Sequence, residues 1–175
     1  MKNPAVPPRR LSAFRSRFAI LCLLSSFLFP LSAVAAENAP LTIKRVYTGW
    51  RDAASFKRIS EYFNGQENTN GEAVFRTHPE QRAGFYFLVR VVNPGAARSV
   101  KATLHVITSA NARAAEYQFP AELRAGDTVF HIGLTGTDWT DPKANPVAWK
   151  LDLTDANGQP LATEKSYLWE KPAVP

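Results

Sequence analysis

The chain has 175 residues, 45% of them hydrophobic, with 21 lysines and arginines against 15 aspartates and glutamates and a single cysteine. Five of the basic residues, Lys2, Arg9, Arg10, Arg15 and Arg17, precede residue 18 and no acidic one precedes Glu37, so residues 37–175 carry 16 basic against 15 acidic groups. That near balance gives no electrostatic footprint for nucleic acid, and with Cys22 in the leading apolar run, disulfides, a catalytic cysteine and zinc–cysteine clusters are excluded from residues 37–175.

The first 36 residues read as a secretory signal peptide. A basic start is followed by an apolar run over residues 18–29 and by the small residues Ser32, Ala33, Val34, Ala35 and Ala36, in the order a signal peptidase requires. The apolar run is shorter than the roughly 20 residues that span a bilayer, so the mature chain is expected to carry no transmembrane segment and to be periplasmic or extracellular. Residues 37–175 suit a single domain of ordinary size.

Residues 41–47 alternate apolar and polar side chains as a half-buried strand does. Asp52 then offers a cap, and Phe56, Ile59, Tyr62 and Phe63 recur at three- and four-residue spacing before Asn64 and Gly65. That spacing predicts one short amphipathic helix docked by its aromatic face. From Ala73 the pattern is β: residues 73–76, a strongly apolar run over 84–92 that belongs at the centre of a sheet, 100–108 with one wet face, 116–119, and 128–134. A final hairpin follows, with Val147, Trp149, Leu151 and Leu153 on one face, a turn at residues 155–158 holding Asn157 and Gly158, and a return over 161–169. Seven or eight strands with one short helix predict an all-β, mainly antiparallel sandwich, Ig-like or fibronectin-like, with a jelly roll as the alternative.

Few residues carry a chemical signature. The histidines His78, His105 and His131 show no local metal-ligand spacing, and an exposed strand position is the expectation for the latter two. His78, Glu80 and Arg82 share a polar loop, and no serine has the context of a nucleophile elbow. The richest stretch is residues 133–149. There Asp138, Asp141 and Asn145 offer the hard oxygen ligands of a structural calcium, and Trp139 either stacks on a sugar or a protein partner or folds back to plug the sandwich end. Trp50 and Trp169, at the ends of the first and last strands, would extend a glycan platform if they shared a surface with Trp139. Trp149 reads as core.

These features predict an exported, non-catalytic binding or interaction module of the bacterial envelope or extracellular space, taking a protein partner through end loops or edge strands. A carbohydrate-binding module using exposed tryptophans is the alternative. A glycan or ester hydrolase working through Asp138, Asp141 or Glu80 is the third.

Overall fold

The structure is a computed structural model that describes residues 40–170; the segment read as a signal peptide lies outside the described residues. Eight strands are present: β1 (Thr42–Arg51), β2 (Ala73–Arg76), β3 (Gly84–Asn93), β4 (Arg98–Thr108), β5 (Asn111–Leu123), β6 (Gly126–Thr135), β7 (Ala148–Thr154) and β8 (Pro160–Lys165). They form two four-stranded sheets, ordered β1-β3-β6-β2 and β5-β4-β7-β8. Apart from β2 the chain passes β1 and β3 in the first sheet, β4 and β5 in the second, β6 in the first and β7 and β8 in the second, as in the fibronectin type of sandwich, with β4–β5 and β7–β8 as hairpins within one sheet.

Period-two alternation builds the core. Phe85, Phe87, Val89 and Val91 of β3 and Phe130, Ile132 and Leu134 of β6 face Val100, Ala102, Leu104 and Val106 of β4 and Leu151 and Leu153 of β7. Each of these valines, leucines, isoleucines and phenylalanines contributes about 1.5–3 kcal/mol by leaving water. Asn93 fastens one end of this core. Fully buried, it donates from Nδ2 to the carbonyls of Ala96 (2.7 Å) and Arg124 (3.1 Å), which ties the β3–β4 turn to the β5–β6 turn. The β7–β8 turn closes as its sequence requires: Asp155 Oδ1 accepts from the amides of Asn157 and Gln159, both at 2.8 Å, and Gly158 takes φ +80°.

β2 is the topological exception. It follows β1 in the chain, yet it lies at the opposite edge of the sheet and pairs in parallel with β6. Residues 52–72 therefore cross the sheet, and since its inner face is core, they cross the outer one. Tyr86 of β3 and His131 of β6 point outward and are nonetheless buried, because Phe56 from this connection lies over both, with ring centroids at 4.6 and 6.5 Å. Gly133 completes the layer: a Cβ there would meet the Tyr86 ring at 2.4 Å, so only glycine lets the phenol lie flat on the strand.

The helix expected after Asp52 is split and inverted. A 3-10 turn (Ala53–Phe56) and a single α-helical turn, α1 (Glu61–Asn64), replace it, and Ile59, Tyr62 and Phe63 face solvent instead of docking. Two further expectations change. Val147 lies ahead of β7 and is exposed, with its amide held by Ile107 O at 2.8 Å. The last strand ends at Lys165, and residues Tyr167–Glu170 form a 3-10 turn.

Candidate functional site

The stretch from Gly133 to Trp149 is chiefly a corner. Trp139 folds inward to 6% exposure, stacks on Phe85 with centroids 4.7 Å apart, and donates Nε1–H to Asp141 O at 3.1 Å. Its faces are covered, so it offers none to a sugar or a partner. Asp141 Oδ1 accepts the Lys143 amide (2.8 Å) and Asn145 Nδ2 donates to Lys143 O (3.4 Å), whereas Asp138 is engaged by His78 and Tyr117. Asp138, Asp141 and Asn145 thus serve separate local contacts rather than one calcium cage, and among the described residues no three His, Cys, Asp or Glu side chains converge to hold a metal.

The remaining tryptophans do not share a surface. Trp50, within β1, packs half-buried against the core and donates Nε1–H to Asp52 Oδ1 at 3.0 Å. Trp169 lies beside His105 of β4, centroids 6.0 Å apart, on the solvent side of the other sheet. There His105 Nε2 is 3.4 Å from Asp152 and Nδ1 3.8 Å from Glu116. Partial burial pushes the Asp152 carboxyl up, but Lys150 at 2.7 Å, Thr163 at 2.7 Å and His105 outweigh it and hold it below the usual range. A platform of Trp50, Trp139 and Trp169 is therefore not formed. His131 also departs from expectation: it is buried and pairs through Nε2 with Glu72 at 2.9 Å.

One convergence does touch catalysis. The turn after β2 is latched to the end of β6, where Thr135 Oγ1 accepts the His78 amide (2.9 Å) and donates to His78 O (3.0 Å). This brings the His78 ring onto Gly136, with Thr137 Oγ1 at 3.1 Å and Asp138 Oδ2 at 3.3 Å from Nε2. Glu80 approaches Nδ1 at 3.8 Å, and Tyr117 reaches Asp138 Oδ1 at 3.4 Å; burial first, then that carboxylate, pushes the Tyr117 phenol up. A hydroxyl, an imidazole and two carboxylates thus meet. The geometry falls short of a nucleophile–base–orienter relay, which works at about 2.6–3.2 Å: Glu80 is too far from Nδ1 and largely exposed, and Asp138 competes with Thr137 for Nε2. Arg82, grouped with His78 and Glu80 by sequence, is turned away onto Glu61 at 2.6 Å.

That last contact leads to the feature sequence reasoning missed. Arg82, from the loop between β2 and β3, holds through Nη1 the Oε2 of Glu61 in the connection between β1 and β2, and Glu61 Oε1 also accepts the amides of Arg58 (3.2 Å) and Asn68 (3.3 Å). Beneath, Arg76 makes a two-pronged pair with Glu67 (2.6 and 2.9 Å) and donates Nε–H to Tyr86 OH (2.8 Å), while Tyr86 donates to Arg82 O (2.7 Å). Arg82 holds the Glu61 carboxyl below the usual range, and Arg76 does the same for Glu67. The outcome is a reversed helical turn, with its acid drawn inward and its apolar side chains pushed out. Glu61 has a side chain only 9% exposed, while Ile59, Tyr62 and Phe63 are 79%, 76% and 85% exposed. The signal in the sequence was Glu61, set among apolar residues with Lys57 and Arg58 just before them. No protein-family model matches the chain, and no curated protein resembles it in sequence.

Proposed function

We propose that this protein is an exported, non-catalytic binding module of the cell envelope or extracellular space, whose contact surface is the tip of the β1–β2 connection. One observation carries this reading: Ile59, Tyr62 and Phe63 stand in solvent within five residues of one another, while Glu61 between them is half-buried in an ion pair with Arg82. Hydrophobic burial favours the opposite arrangement, and an exposed apolar group rimmed by polar residues is what an interaction site presents. The basic, apolar and small segments of residues 1–36 support export.

The test is fractionation of the host. Wild-type protein is expected in the envelope fraction, and an Ile59→Ser, Phe63→Ser variant with an unchanged melting temperature is expected in the soluble one. A variant retained as well as the wild type, or a wild type free in the soluble fraction, would sink the proposal.

A further inference from the structure

We infer that the envelope component met by this tip is an anionic lipid surface, which the protein touches peripherally. The inference rests on the binding reading above and names its partner. The argument is the charge that accompanies the apolar trio. The four acids of residues 52–72 are all engaged: Glu61 by Arg82, Glu67 by Arg76, and Asp52 and Glu72, at the two roots, by Trp50 Nε1 and His131 Nε2. Lys57 and Arg58 are exposed, and neither side chain meets a carboxylate among the described residues. The tip therefore shows solvent an uncompensated basic pair directly followed by Ile59, Tyr62 and Phe63.

Each half of that pattern fits one layer of a bilayer interface. Phenylalanine and isoleucine side chains enter the acyl boundary, a tyrosine keeps its hydroxyl at headgroup level, and lysine and arginine meet the negative surface. A shallow cleft of about 270 Å³ beside the trio is lined by Lys57, Glu61, Tyr62, Gly65 and Arg82, and its acid is already neutralised by its arginine. A headgroup phosphate seated there would meet Lys57. The ion pairs beneath fix the tip before contact, so little ordering entropy is lost on binding.

The test is co-sedimentation of the protein purified from its host with vesicles of phosphatidylcholine, alone or mixed with phosphatidylglycerol. Binding to the mixed vesicles is expected, weakened by salt and at least tenfold lower on phosphatidylcholine alone. Lys57→Gln with Arg58→Gln should lower it by roughly tenfold to thirtyfold. Ile59→Ser or Phe63→Ser should each cost about tenfold or more, whereas Tyr167→Ser, at an exposed residue outside the connection, should change nothing.

Equal binding to neutral vesicles, or binding indifferent to the tip variants, overturns the inference. So does a wild type that self-associates through the tip, which would make a second copy the partner. If vesicles are not bound but retention in the host envelope still depends on Ile59 and Phe63, the lipid assignment falls and the binding module stands with a protein partner. If retention is also indifferent to them, both fall.

Discussion

Trp139 is the sharpest test of where the corner ends and the surface begins. Its indole is 6% exposed and stacked on Phe85, itself fully buried. Replacing it by alanine removes about 200 Å² of buried aromatic surface, an upper bound of about 5 kcal/mol. The loss of its bond to Asp141 O adds little, because Asp141 is exposed and water takes the place of the indole N–H. Large aromatic-to-alanine changes in cores cost about 3–5 kcal/mol, which for a domain of this size lowers the melting temperature by roughly 10–20 °C. Circular dichroism melts of Trp139→Ala beside Trp139→Phe measure this directly. Phenylalanine keeps the stack on Phe85 and should lose only about 1–2 kcal/mol. An alanine variant that melts within about 3 °C of the wild type would refute the plug and return Trp139 to the surface.

Gly133→Ala places a methyl 2.4 Å from the Tyr86 ring and levers the phenol off Arg76 and Arg82 O, a loss of roughly 2–4 kcal/mol in urea unfolding; in a Tyr86→Ala background most of that penalty should vanish, and a penalty that persists places the clash elsewhere. The ion pairs under the tip predict acid sensitivity. Glu61 and Glu67 take up protons near pH 4.3 when unfolded, and at lower pH when folded because of Arg82 and Arg76. Their stabilisation is thus present above the unfolded value and is lost as pH falls through the folded one; Arg82→Gln should flatten the fall in melting temperature across that window, and a slope identical to wild type would remove Glu61 from the account. Export predicts a mature N-terminus near Glu37, and an intact mass that retains residues 1–36 would contradict it.

Most of the sandwich was legible because its strands obey local rules. The run from Phe85 to Val91 announces a central strand, and Asn157 with Gly158 announces a hairpin, since alternation and turn composition are properties of adjacent residues, although of the two only Gly158 takes a positive φ. Where strands were misjudged, the local rule was missing. The first half of β5 is mostly exposed at a sheet edge and carries no apolar alternation, so only residues 116–119 stood out. The pairing of β2 with β6 leaves no local trace at all, because a four-residue strand looks the same on either edge.

The candidate site failed to be read for a related reason. Spacing told us that Phe56, Ile59, Tyr62 and Phe63 recur at helical intervals, but a periodicity has no sign: it says which residues share a face, not which face is inside. Hydrophobicity normally supplies the sign. Here Phe56 is the member of that set that packs over Tyr86 and His131, while Ile59, Tyr62 and Phe63 are left exposed. The sign is set instead by Arg82, 21 residues from Glu61 in sequence, and by Arg76, 9 from Glu67. Tertiary ion pairs thus decide the orientation of a turn too short to hold itself. A turn held in that orientation by side chains from two other segments keeps its apolar residues in water whether or not a partner is present, which is the preorganisation that the proposed binding requires.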